Sequence, residues 1–330
     1  MPRQVCLSMA GPTSQDVDLR VAGGLQRLVN PQILSFGVSS HSFDVDLIEA
    51  DDCPRCTHRL HFSTLFHYFV LSKLKNNHKS MLDVKEAMLQ RTSVRRYERE
   101  AIPAETMDFI YRAVENTPTS YNGQQFSVID IDDQALKEQL YELTGQKQLK
   151  TCNRLLIFCS DYNKITMLAE SKGLKMPELT NTMDGVTIGI IDASLAMMSA
   201  VVAAQASGLG SNCIGYLRTV DPRKVAELLH LPKGVFVVCG LALGVPREHP
   251  DLKPKQPASL VFHRNAYRQD REKMVEELTA YDEVVKQYNR TRSGGTTEND
   301  WVAHIIDYYD HAMTYRIKDY LRDQGYDIQR

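Results

Sequence analysis

Residues 186–207 read VTIGIIDASLAMMSAVVAAQAS and run into Gly208-Leu209-Gly210. The stretch is apolar on nearly every side and rich in alanine and methionine. A helix of this kind has little polar face to offer water, so it belongs in the core of a layered domain. The glycines mark its stop. Its neighbours supply the layers. Leu155-Leu156-Ile157-Phe158-Cys159 and residues 235–243 are continuous apolar runs, as in strands buried on both faces. Residues 126–131 and 211–215 read as two more strands. Helical spacing covers 82–89, 102–114 (Met107, Ile110, Tyr111, Val114) and 134–143, which ends at Gly145. A further helix at 222–229 has Asp221 as its N-cap and Pro222 at its first position. Strands alternating with helices predict an α+β or α/β layered domain.

The 330 residues suffice for one large domain or two ordinary ones, and 43% hydrophobic with 24% charged residues is a globular composition. A net charge of −2 gives no reason to expect nucleic acid or an anionic membrane as a main partner. No apolar stretch reads as long and unbroken enough to span a bilayer. Met1-Pro2-Arg3-Gln4 lacks the apolar core of a signal peptide. The cysteines number seven, an odd count. Cys159, Cys213 and Cys239 lie in strand-like runs, which predicts buried free thiols and a cytoplasmic location.

Residues 1–80 show no sustained helical or strand period. They read either as a poorly ordered extension or as upstream sequence taken in by an early start codon. Cys53-Pro54-Arg55-Cys56-Thr57-His58-Arg59-Leu60-His61 invites a zinc reading, but the spacing is too compressed for a familiar finger. An accidental cluster is the simpler account, and no metal is expected. Residues 62–74 would suit a short amphipathic helix. Downstream, 162–185 reads as a mobile loop with Gly173, Pro177, Asn181 and Gly185. Residues 251–263 read as an extended arm in which Pro254 and Pro257 prevent a helix. Polar helices near 270–289 and 299–324 have too little apolar face to stand alone, so they should pack on a second subunit.

Two clusters carry chemistry. Arg91-Thr92-Ser93-Val94-Arg95-Arg96-Tyr97 packs cations around hydroxyls. Pro118-Thr119-Ser120-Tyr121-Asn122-Gly123-Gln124 packs hydroxyls and amides into a turn. Guanidinium forks, hydroxyls and backbone N–H groups are what a phosphate monoester needs, so the pair suggests a nucleotide-like cofactor held by its phosphate tail. Each has a plainer reading: a solvated basic loop for the first and turn chemistry for the second. The chain offers no convincing nucleophile or acid/base pair.

With these two clusters, further motifs occur in order: Gly145-Gln146, Phe158-Cys159-Ser160-Asp161, and Ala203-Ala204-Gln205-Ala206-Ser207-Gly208-Leu209-Gly210. Ile214-Gly215-Tyr216-Leu217-Arg218, Asp251-Leu252-Lys253-Pro254-Lys255-Gln256-Pro257-Ala258 and Tyr288-Asn289-Arg290-Thr291-Arg292-Ser293 follow. In these the chain resembles the nitroreductase superfamily, in particular its larger NADPH-dependent flavin reductases and oxygen-insensitive nitroreductases. The resemblance covers nearly all of 81–330. It implies an α+β fold with a central, mostly antiparallel sheet flanked by helices. It implies a homodimer that exchanges arms and C-terminal helices and binds FMN at its interface.

Carried over by position, the resemblance puts Arg91, Thr92, Ser93, Arg95, Thr119, Ser120, Lys253 and Lys255 on the phosphate and ribityl chain. It puts Gln146 and the backbone of Cys213, Ile214, Gly215 and Tyr216 against the ring. Arg218 would lie near a phosphate of the cofactor or of NADPH, and Arg292 on NADPH, with NADH an alternative donor. No side chain is expected to be catalytic, because the flavin carries the chemistry. The implied activity is ping-pong hydride transfer from NAD(P)H to FMN and onward to nitroaromatics, quinones, free flavin or similar small acceptors. Two readings stand against it: a non-catalytic FMN-binding or zinc-linked protein, and a dehalogenating or flavin-destroying enzyme on the same fold. The chain departs from the family's pattern in having Arg91 where histidine is common and Lys255 where arginine is common. Thr296-Thr297-Glu298 and Met313-Thr314-Tyr315 also stand where further nucleotide-binding arginines are expected.

Overall fold

A computed structural model describes residues 3–7, 17–21, 82–292 and 298–329. The chain divides into two units, 1–77 and 78–330. In the first, β1 (Arg3–Leu7) pairs antiparallel with β2 (Val17–Val21), in a stretch where the sequence suggested no period. Cys53 to His61 and the helix expected at 62–74 lie outside the described residues.

The second unit is built on four antiparallel strands: β3 (Phe126–Ile131), β4 (Arg154–Asp161), β5 (Gly210–Ile214) and β6 (Val235–Gly244). Their order is β3-β4-β6-β5. Every residue of β6 is buried, which accounts for its unbroken apolar sequence. One face of the sheet is covered by α2 (Ala104–Glu115) and α5 (Met183–Ala206), which follow α1 (Val84–Gln90), α3 (Gln134–Thr144) and α4 (Asn163–Ser171) as numbered along the chain. The other face buries Leu140 of α3, Leu217 of α6 (Tyr216–Thr219) and Val225 of α7 (Pro222–Leu228). Asp221 accepts the Lys224 N–H at 3.0 Å, and the α3 chain turns at Gly145 with φ 67°. Both are the caps that the sequence specifies.

α5 is central, as its composition predicts, but only one side is covered. Ala193, Ala196, Ala200 and Ala204 are fully buried against the sheet layer. Ile190, Ile191, Leu195 and Met198 remain exposed on the other side. By length and composition α5 is also apolar enough to cross a membrane, contrary to the sequence reading. Its alanine face lies in the sheet-covering core, where small side chains permit close approach.

Three expectations are corrected. Residues 162–185 are not a featureless loop: α4 occupies Asn163–Ser171, a short 3₁₀ turn covers Leu179–Asn181, and the buried Tyr162 hydroxyl donates to Gly185 O at 2.8 Å. The arm is interrupted by α8 (Ala258–Val261), which starts directly after Pro257, where a proline is tolerated. After α9 (Arg271–Thr291), the expected last helix is two, α10 (Trp301–Ala312) and α11 (Ile317–Asp323). Tyr320, Leu321 and Tyr326 enter the chain's own core, with the Tyr326 ring edge-on to Phe236 at 4.9 Å and its hydroxyl donating to Gly234 O at 2.8 Å. Among the described α-helices, α10 alone buries none of its side chains.

Candidate functional site

The 91–97 loop is stitched to the sheet. Val94 N–H donates to Ser211 O at 3.0 Å, Glu98 N–H to Val245 O at 2.9 Å, and Arg247 N–H to Arg96 O at 3.0 Å. The buried Tyr97 hydroxyl lies 2.6 Å from Val94 O and 3.2 Å from Ala242 O. Burial raises its pKa far above the ordinary phenol value, so it acts only as a neutral donor. Val94 packs on bare backbone: a Cβ on Gly210 would sit 2.8 Å from Val94 Cβ. With Val94 and Tyr97 turned inward, Arg95 and Arg96 are left exposed and Arg91, Thr92 and Ser93 half-buried. Glu248 fixes the backbone here, accepting the Arg95 N–H at 2.7 Å and lying 3.6 Å from Arg96 Nε.

Lys253 lies within range of the charges of three other cations, Arg292, Lys255 and Arg95 of this loop. The Lys253 ammonium is pushed below its ordinary pKa, first by burial and then by the like charges of Arg292, Lys255 and Arg95. Among the described residues none of the four has a carboxylate within ion-pair distance. Like charges held close without an anion destabilise one another. A dianionic phosphate would reverse the sign of that energy.

The loop runs along the edge of β5, where Ser93 is bridged to Ser211. Gln148 Nε2 lies 2.9 Å from Gln146 Oε1 and 3.1 Å from Asn212 Oδ1, which ties Gln146 to this strand. Ile214 is buried in the core, so only its backbone is presented; Gly215 and Tyr216 are half-exposed. Cys213 is exposed rather than buried, a correction that fits its place on β5, the edge strand of the sheet. The guanidinium of Arg91 acts on its thiol. Tyr216 meets Tyr315 and Tyr308; burial and these two phenols raise its pKa. Arg218 donates to Val238 O at 2.5 Å at the sheet end, and no described contact joins it to the Lys253 cluster.

The second cluster stands apart. Tyr121, Asn122 and Gln124 all adopt left-handed backbone, with φ of 54°, 53° and 52°. Such residues need outside support. Asp192 supplies it: fully buried on α5, its Oδ1 accepts Ser120 N–H at 3.0 Å and its Oδ2 accepts Gln125 N–H at 3.2 Å. Thr119 Oγ1 accepts Gln124 N–H at 3.2 Å, closing the turn from within. Asp192 escaped the sequence reading of the site, although a lone charge in an otherwise apolar helix is the signal that could have found it. Among the described residues, no hydrogen bond or ion pair links this turn to the 91–97 loop.

An antiparallel sheet covered on both faces, with cations gathered at its β5 edge, defines an α+β protein built to hold an anionic cofactor. Comparison with known proteins narrows the class. The nitroreductase family model matches residues 88–245, and the nitroreductase family C-terminal domain model matches 253–329. The chain belongs to the nitroreductase family. It is 33% identical over 251 residues to FMN reductase [NAD(P)H] of Bacillus subtilis, covering 76% of this chain and all of that one. It is 34% identical over 242 residues to the oxygen-insensitive NADPH nitroreductase of Salmonella typhimurium, covering 73% of this chain and 97% of the relative. Among solved structures, the hypothetical oxidoreductase YcnD of Bacillus subtilis superposes with a TM-score of 0.72 at 33% identity, over 76% of this chain and all of that one. The NADPH:FMN oxidoreductase of Vibrio harveyi complexed with NAD+ gives 0.65 at 25% identity, over 75% and 99%.

The Asp192 anchorage has a measurable consequence. Asp192→Asn retains one good acceptor where two are needed, so one buried N–H is left unpaired. We expect a loss of about 1–3 kcal/mol on chemical denaturation and faster amide exchange at Ser120 or Gln125. Unchanged exchange at both amides would show that Asp192 does not hold the turn.

Proposed function

We propose that this protein is an FMN-dependent NAD(P)H oxidoreductase of the flavin reductase and nitroreductase type. The observation that carries the reading is the gathering of Arg95, Lys253, Lys255 and Arg292 with no described counter-ion. FMN suits that cluster through its phosphate. Its flavin, when bound, supplies the hydride and electron transfer that no side chain of the site can perform.

The residues then divide the work. Arg95, Lys253 and Lys255 neutralise the phosphate, and Arg91, Thr92 and Ser93 add a guanidinium, hydroxyls and backbone donors along the ribityl chain. Gln146 and the backbone of residues 213–216 face the ring, where donors favour the electron-rich form. Arg292 belongs to the same cluster and serves the phosphate or the phosphates of NADPH. Arg218, bonded to Val238 O, shapes this wall from behind. Relatives named FMN reductase and NADPH nitroreductase favour free flavin and nitro compounds as acceptors, with quinones a further candidate, and a cytoplasmic setting suits the free thiols. Neither nucleic acid nor membrane is a proposed partner.

We further propose a homodimer. The exposed Ile190, Ile191, Leu195 and Met198 form an apolar strip on α5, of a kind that associates in water. The Thr119 and Ser120 turn, separate from the Arg91 loop in one chain, would complete the site of the other subunit.

Two experiments test these readings. The purified protein should be yellow, and anaerobic NADPH should bleach its flavin absorbance, NADH more slowly. A yellow protein that neither nucleotide bleaches favours a binding role, and a protein unable to take up FMN defeats the flavin reading. Leu195→Glu should yield a monomer by native mass that binds FMN at least tenfold more weakly. A Leu195→Glu dimer with native affinity would remove α5 from the interface.

A further inference from the structure

Glu248 is an acid set against a loop of cations, and its charge works against a phosphate there. Its geometry gives it a different task. Residues 95–98 and 245–248 run antiparallel. Glu98 N–H donates to Val245 O at 2.9 Å, Tyr97 is bridged to Pro246, and Arg247 N–H donates to Arg96 O at 3.0 Å. The same register sets Arg95 opposite Glu248, at a position where antiparallel pairing offers its N–H no backbone acceptor. The Glu248 carboxylate supplies one, at 2.7 Å.

This tie joins two stretches that the site needs together. Pro246 and Pro250 flank Glu248 and stiffen the chain on either side of it. The arm that carries Lys253 and Lys255 starts directly after Pro250. Thr92 of the loop, Leu252 of the arm and Glu248 itself line one cavity of 520 Å³, so loop and arm converge where Glu248 joins them. With its backbone held, Arg95 folds its guanidinium back along the loop, Nη1 lying 3.4 Å from Ser93 O. The ion pair with Arg96 does not account for the arrangement. Arg96 is 80% exposed and its Nε lies 3.6 Å away, and surface pairs of that kind contribute little. The bond to the Arg95 N–H is shorter and charge-assisted, and it holds backbone rather than a free side chain.

We propose that Glu248 is a positioning residue for the cofactor's phosphate. By accepting the Arg95 N–H it fixes the loop and the root of the arm in one register, and so sets where the Arg95 guanidinium meets the phosphate. It acts as a hydrogen-bond acceptor and not through its charge. The phosphate in this proposal rests on the FMN reading given above; the tie between Glu248 and Arg95 does not.

The test titrates the full chain with FMN and with riboflavin, by flavin fluorescence, as native protein, Glu248→Ala and Glu248→Gln. Glu248→Ala should weaken FMN about tenfold, as for one lost charge-assisted hydrogen bond, and leave riboflavin within about twofold. Glu248→Gln keeps an acceptor oxygen and removes the adverse charge, so its FMN affinity should equal or exceed the native value. In an Arg95→Ala background the loss from Glu248→Ala should largely vanish, because the two residues act as a unit. Native FMN affinity in Glu248→Ala, equal weakening of FMN and riboflavin, a Glu248→Gln as weak as Glu248→Ala, or additive losses with Arg95→Ala would each overturn the proposal. Amide exchange at Arg95 reads the tie without any flavin: Glu248→Ala should speed it, and Glu248→Gln should not. Unchanged exchange in Glu248→Ala would overturn the tie. A native chain that binds riboflavin as tightly as FMN, with exchange as expected, would overturn the phosphate reading and leave the tie standing.

Discussion

Charge repulsion around Lys253 is the constraint on which the site depends. Three stretches distant in sequence, the 91–97 loop, the arm at 251–257 and the end of α9, each bring a cation to one place. No described carboxylate relieves them. Glu248 is close, but it is engaged by the Arg95 N–H and by Arg96. An arrangement that destabilises the empty protein is kept where a ligand of opposite charge reverses the balance. The fold supplies the rigidity this needs. The hydrogen bonds from Val94, Glu98 and Arg247, with Tyr97 seated between Val94 O and Ala242 O, fix the loop to β5 and to the exit of β6. Arg95 therefore cannot simply leave the cluster by moving its backbone.

Around that anchorage the site has a division of labour. One edge gathers positive charge. The adjoining edge of β5 presents Gln146, the 213–216 backbone and Tyr216, a less charged wall. The turn at Thr119 and Ser120 is held independently by Asp192. Asp192 is buried on the helix whose opposite side is the exposed apolar strip, so one element both shapes the turn and offers a docking face. A change on α5 is therefore able to reach the site without touching a ligand.

Much of this was legible in the sequence because the signals are local. The β6 run, the Asp221-Pro222 start and the Gly145 stop each follow from a few adjacent residues. The 91–97 cluster was legible for the same reason, since its cations are neighbours in the chain. What escaped the reading depends on distant partners. Composition alone makes α5 look buried all round, because nothing local says that only one layer covers it. Cys213 looks like its buried neighbours, and only its place on an edge strand leaves it exposed. The capture of Tyr326 by Phe236 and Gly234 links residues almost a hundred positions apart, and no periodicity announces it. Asp192 was visible as an anomaly in its helix, but its purpose appears only when Ser120 and Gln125 are brought to it.

The most direct test of the central claim compares FMN with riboflavin, which carries the same ring and ribityl chain without the phosphate. Equilibrium titration by flavin fluorescence at low salt should show FMN binding at least a hundredfold more tightly, two or more charge-assisted contacts being lost with the phosphate. In Arg95→Ala that advantage should shrink while riboflavin affinity stays nearly constant. Equal affinity for the two flavins in the native chain would mean that the cations around Lys253 do not hold the cofactor's phosphate.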